Sequence, residues 1–139
     1  MITLPPLPAL QDILDMEVYE AINHLESLQV YVSRPHRPNT TSHKPSHSEL
    51  LDLAEWTKVY DKDMIKYQED KGKANIHNMR VDALIHSLIC EKSGLYSIPH
   101  QYQNKVFSYA WSKWHSSGHY EVYQELVNLV GIFDTKNNS

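Results

Sequence analysis

Apolar residues recur along the chain at spacings of three and four, the period of helices rather than of strands. The clearest run lies between Pro99 and Phe133, where Phe107, Trp111, Trp114, Gly118, Val122, Leu126, Leu129 and Phe133 fall on one face. This predicts one long aromatic helix that turns the face into a core. Its middle, His115-Ser116-Ser117-Gly118-His119, holds small residues where the stripe should be widest. Gly costs about 1 kcal/mol against Ala inside a helix, so Gly118 marks a kink or a close backbone approach.

Three further helices follow from the same pattern. Leu14, Val18, Ala21, Leu25, Leu28 and Val32 make a heptad-like seam over 9–32. Ser46 with Glu49 has the form of a capping box and opens a helix to about Lys71, with Leu50, Leu53, Thr57, Tyr60, Met64 and Tyr67 as its seam. Gly72 reads as its stop and Lys73 to Asn75 as a short connection. A helix over 76–92 follows, with Val81, Leu84, Ile85, Leu88 and Ile89 on one side. Ser93-Gly94-Leu95 has the form of a glycine-terminated helix end, and Ser97-Ile98-Pro99 reads as the start of the last helix, Ser97 capping it.

The predicted fold is all-α: a small helical bundle with a central antiparallel helical hairpin, 48–92, packed on the long aromatic C-terminal helix. The chain reads as a single domain over 1–139, made of a Pro-rich arm (1–8), an acidic helix (9–32), a basic Pro/His/Ser loop (33–47), a helical core (48–133) and a polar tail (134–139). Its 139 residues suit one domain, and four Gly in all favour helices over tight hairpins. No apolar run reaches the ~18 residues of a spanning helix, and the start lacks a basic region followed by an apolar one, so a soluble cytoplasmic protein is expected. The single Cys90 excludes an internal disulfide.

Charge changes the picture locally. The net charge of −4 is small, but Asp12, Asp15, Glu17, Glu20 and Glu26 give the first helix acids with no Lys or Arg, a face able to engage a basic site on a partner. Arg34, Arg37 and Lys44 make the following loop basic. Around the 50–67 seam Glu55, Lys58, Asp61, Lys62, Asp63, Lys66, Glu69 and Asp70 alternate in sign, as on the wet side of a hairpin or coiled coil. With nine Tyr and three Trp, much of the apolar area carries a polar handle suited to interfaces, Tyr60 and Tyr67 among them.

Candidate chemistry is thin. His36, His43 and His47 lack the carboxylate or Cys partners of a recurrent metal spacing. His115 and His119 stand four apart with Glu121 near, but a zinc-protease helix needs Glu where Ser116 stands. Ser116 and Ser117 do not face those histidines as a nucleophile faces its base. Cys90 with His86 one turn earlier is a possible thiolate pair, yet Cys90 lies on an apolar face. The Ser93-Gly94-Leu95 turn resembles that of a helix-turn-helix, but the next helix begins His100-Gln101-Tyr102-Gln103-Asn104 with only Lys105 as a cation. The reading is therefore not an enzyme, with no cofactor and no metal.

The stretch Cys90-Glu91-Lys92-Ser93-Gly94-Leu95, Tyr109-Ala110-Trp111, and His115-Ser116-Ser117-Gly118-His119-Tyr120-Glu121-Val122-Tyr123 to Leu126 resembles the end of small accessory (early) proteins of tailed bacteriophages, over about residues 50–130. In those, a charged helical hairpin precedes a Gly-Leu turn and an aromatic helix. The resemblance implies a product of an infected bacterium, acting in the host cytoplasm, that binds and redirects or inhibits a host protein of defence, transcription or replication. It implies no catalytic residues. The expected function is a protein-binding module using Asp12, Asp15, Glu17, Glu20, Arg34, Arg37, Lys44, Tyr60 and Tyr67, with a homodimer possible and no membrane partner. The alternatives are a nucleic-acid-binding accessory protein using the basic loop and a small metal-dependent enzyme using His115 and His119.

Overall fold

The computed structural model describes residues 2–36 and 46–137. Arg37, His43 and Lys44 lie outside the described residues. The fold is all-α, with no strand among the described residues: α1 (Leu10–Leu14), α2 (Val18–Ser27), α3 (His47–Ser93), a 3-10 turn (Leu95–Ser97), α4 (His100–Trp114) and α5 (His119–Asn137). By its internal contacts the chain forms two units, Met1–Leu4 with Val30–Asn78, and Pro5–Gln29 with Met79–Ser139.

The second unit holds a helical bundle. Its core joins Ile13 of α1, Ala21, Ile22 and Leu25 of α2, Val81, Ile85, Leu88 and Ile89 of α3, Val106 and Ala110 of α4, and Val122, Leu126 and Val130 of α5. Burying a side chain such as Leu25 or Leu126 contributes about 1.5–3 kcal/mol. The side of 76–92 expected to be apolar is this core face.

The acidic helix expected over 9–32 is two helices. The Glu17 carboxylate accepts from the Glu20 amide at 3.1 Å, which restarts the helix at Val18. In one straight helix Ile13 and Val18 would point about 140° apart; the break lets both enter the core. The aromatic helix expected over 99–133 is likewise α4 and α5. Trp114 takes the amides of Ser117 and Gly118, and Gly118 adopts φ 131°, which ends α4 and turns the chain back. Tyr102 then meets Phe133 at one end and Lys113 meets Glu125 at 3.3 Å toward the other, so α4 and α5 run antiparallel. Phe107, Trp111, Trp114, Leu129 and Phe133 still pack against the core, as the spacing predicts.

The antiparallel hairpin expected over 48–92 does not form: α3 is one helix of 47 residues. Gly72 is an ordinary helical position, with nothing within 4 Å of where a Cβ would stand. The reason lies in a repeat that crosses it. Leu53, Tyr60, Tyr67, Ala74, Val81 and Leu88 follow one another every seven residues, so the apolar stripe keeps its register through Gly72, and one glycine cannot interrupt a helix that long. The true end is at Gly94, whose φ of 80° and amide bond to the Glu91 carbonyl close the helix, with Leu95 buried behind it. Ser46 accepts from the Glu49 amide at 3.2 Å, as a capping box begins. Ser97 does not cap α4; its hydroxyl donates back to the Gly94 carbonyl at 2.6 Å, and Pro99 precedes the first turn instead.

Candidate functional site

The part of α3 within the first unit carries the most exposed apolar surface of that unit. Seven-residue spacing puts Leu53, Tyr60 and Tyr67 in a row, and helical geometry adds Trp56 and Met64 beside them. Leu53, Tyr60, Met64 and Tyr67 are half-buried, whereas Trp56 is 62% exposed and Leu50 49% exposed. An exposed indole beside two half-buried phenols on one helix face is large rigid area with polar edges, the composition of interface centres.

The face has definite limits. Toward its C-terminal end Ala74 and His77 are buried, and the Asn78 amide holds the chain that follows α2: the Val30 N–H donates to Asn78 Oδ1 and Asn78 Nδ2 donates to the Val30 carbonyl, both at 2.8 Å. This pair satisfies both backbone groups of Val30 as a neighbouring strand would. Lys71 stands at the same end with its ammonium 5.6 Å from the centre of the Tyr67 ring.

Charges border the face unevenly. At about 100° per residue, Asp52, Asp63 and Asp70 fall within about 20° of one another along one edge of the stripe, and Asp61 borders the other. Lys58, Lys62 and Lys66 fall on the far side of the helix. Lys58 approaches Glu55 there at 3.9 Å, an exposed pair of little energetic weight. The alternation of sign seen in sequence thus resolves into an apolar stripe bordered by aspartates and a back of mixed charge, where Glu55 and Glu69 stand among the lysines and Leu51 and Ile65 are exposed.

The expected partner-binding residues divide between the units. Asp12, Asp15, Glu17 and Glu20 are exposed on and around α1 and α2 of the second unit, where Glu17 also serves as the N-cap of α2. Arg34 is exposed, and Tyr60 and Tyr67 are half-buried, in the first. Arg37 and Lys44 lie outside the described residues. Sequence reading missed Trp56, three residues after Leu53 and four before Tyr60, which was the signal for it.

The second unit also gathers histidines. His115 ends α4 and His119 begins α5, so they do not share a helix face as their spacing suggested. The His115 Nδ1–H donates to the Trp111 carbonyl at 2.7 Å, and His119 Nδ1 lies 2.9 Å from a Glu26 carboxylate oxygen. His86 packs edge-on to Trp111 at 4.9 Å, with Phe107 and His119 also beside it, and its Nε2 is buried without a hydrogen bond. Burial, and then the charge of His119, hold its pKa below the ordinary value, against the pull of Asp82. Among the described residues no group of three His, Cys, Asp or Glu is placed to hold a metal ion.

Cys90 and His86 both line a hollow of about 250 Å³ with Tyr96, Gln103 and Phe107. Burial pushes the Cys90 thiol up, opposed by a hydrogen bond with Tyr96, which leaves it a poor nucleophile. The outer face of α4, with Asn104, Lys105, Ser108 and Tyr109, is a shallow depression bearing one cation, unlike a base-reading surface. No helix among the described residues is long and apolar enough to cross a membrane.

Compared with protein families, curated proteins and solved structures, the chain matches none of them.

Proposed function

We propose that this chain is a non-enzymatic protein-binding module whose principal contact surface is the half-buried aromatic face of α3 around the exposed Trp56. The observation that carries the reading is Trp56, 62% exposed in the row formed by Leu53, Tyr60 and Tyr67. Contiguous apolar area rimmed by charge on a helix is what partner surfaces present before they are covered. The resemblance of the C-terminal half to accessory proteins of tailed bacteriophages extends the reading to a modulator or inhibitor of a host protein in the bacterial cytoplasm. The acidic border of the face, and an α4 depression that holds Lys105 as its one cation while Lys113 of the same helix is paired with Glu125, weigh against a nucleic acid as the main partner, because phosphates are repelled by the first and weakly held by the second.

Affinity capture from bacterial lysate, with and without nuclease, followed by mass spectrometry, tests this. One or two proteins retained in stoichiometric amount despite nuclease, and lost with Trp56→Ala, are expected. Retention of nuclease-sensitive material alone overturns the reading in favour of nucleic-acid binding. Reversing the charges of Asp12, Asp15 and Glu20 in the same assay shows whether α1 and α2 add a second contact.

A further inference from the structure

We infer that the α3 face takes an amphipathic helix of another protein, one whose apolar stripe is bordered by Lys or Arg. This rests on the protein-binding reading and specifies the partner's chemistry. The shape comes first: the half-buried stripe of Leu53, Tyr60, Met64 and Tyr67 follows a helical period along one continuous helix, and a partner helix laid along it beside the exposed Trp56 places its own apolar residues between them. Trp56 supplies the large exposed side chain that a packed seam would cover.

The borders then choose among occupants. Asp52, Asp63 and Asp70 line one edge and Asp61 the other, so a partner with basic borders gains at both edges, while one with acidic borders loses. A second copy of this chain would bring the same aspartates against their counterparts, since the face of each copy has the same acidic edges. An anionic lipid surface or a nucleic acid is disfavoured for the same reason. Lys71, drawn over the Tyr67 ring, marks where the acidic border stops.

Two synthetic helical peptides with the same Leu/Ile stripe serve as probes, one bordered by Lys and Arg, the other by Glu, each fluorescently labelled and titrated with the full-length protein at low salt. The basic peptide is expected to bind about tenfold or more tightly than the acidic one, as a few rim pairs would give. The preference should shrink with added salt. In the double variant Asp63→Lys, Asp70→Lys it should shrink or reverse, with helix content by circular dichroism unchanged. Trp56→Ala should weaken both peptides. Equal binding, no binding, a preference indifferent to the charge reversal, or a self-association by ultracentrifugation that Trp56→Ala abolishes would each overturn the inference. Proteins captured from lysate that survive both the charge reversal and Trp56→Ala would leave a protein-binding role standing and remove this face from it.

Discussion

His86 is a half-buried histidine set among aromatic rings. It packs among Phe107, Trp111 and His119 with one ring nitrogen buried and unbonded, and its folded pKa is lowered first by burial and then by the nearby His119 charge. The unfolded chain therefore binds a proton at His86 more readily than the folded one. The stability associated with neutral His86 is fully present above the ordinary value of 6.5 and is lost as pH falls through the folded value below it. Urea unfolding midpoints should fall between about pH 7.5 and about pH 5, and His86→Leu should flatten that slope; an unchanged slope in the variant would assign the pH dependence elsewhere. Cys90 tests the same interior. Its thiol should react with a disulfide reagent at neutral pH about a hundredfold more slowly in the folded protein than in urea. Gly118 is the third such residue: at φ 131° an alanine is strained, and its Cβ would meet Glu121 Oε2 at 2.8 Å. Gly118→Ala should destabilise the protein by about 1–3 kcal/mol, read as a loss in the urea midpoint.

For the elements, the informative position is Gly72. A glycine in a long exposed helix contributes nothing but backbone entropy to the unfolded state, and no neighbour would obstruct a methyl group there. Gly72→Ala should stabilise α3 by about 1 kcal/mol and raise helix content. A destabilised variant would mean that the chain turns at Gly72 after all. The same glycine explains where sequence reading went astray. Helical period, capping box and the Gly94 stop were legible because each depends on nearby residues: Ser46 with Glu49, Gly94 with Leu95. Whether Gly72 ends a helix depends on whether the stripe before it stays in phase with the stripe after it, and Tyr67, Ala74 and Val81 settle that only when taken together. Conversely, the 115–119 run hid a full reversal behind continuous three-four spacing, because Gly118 reaches a backbone conformation that spacing alone does not reveal. The acidic border of the α3 face was written in the sequence as alternating charge. Its one-sidedness emerges only once a single helix fixes the phase of Asp52, Asp63 and Asp70.

At the scale of the whole molecule, burial is concentrated in the second unit. Leu25, Val81, Ile85, Leu88, Ile89, Val122 and Leu126 are all fully buried there. The first unit, between Leu50 and Tyr67, has a half-buried stripe and a solvated back. Local opening follows local burial, because opening a helix segment that covers little apolar area exposes little to water. Amide hydrogen exchange of the free protein should therefore be slowest at 81–89 and 122–130, approaching the limit set by global unfolding, and markedly faster at 50–67, which opens without the rest. A helix too short of tertiary contacts to hold its own amides is stabilised by whatever packs on its face, and the effect is confined to the covered turns. Adding the basic-bordered peptide should slow exchange at 50–67 while leaving 122–130 unchanged. Equal protection of both segments in the free protein would mean that the α3 face is already covered by something else, and slowing at 122–130 alone would move the contact surface to α5.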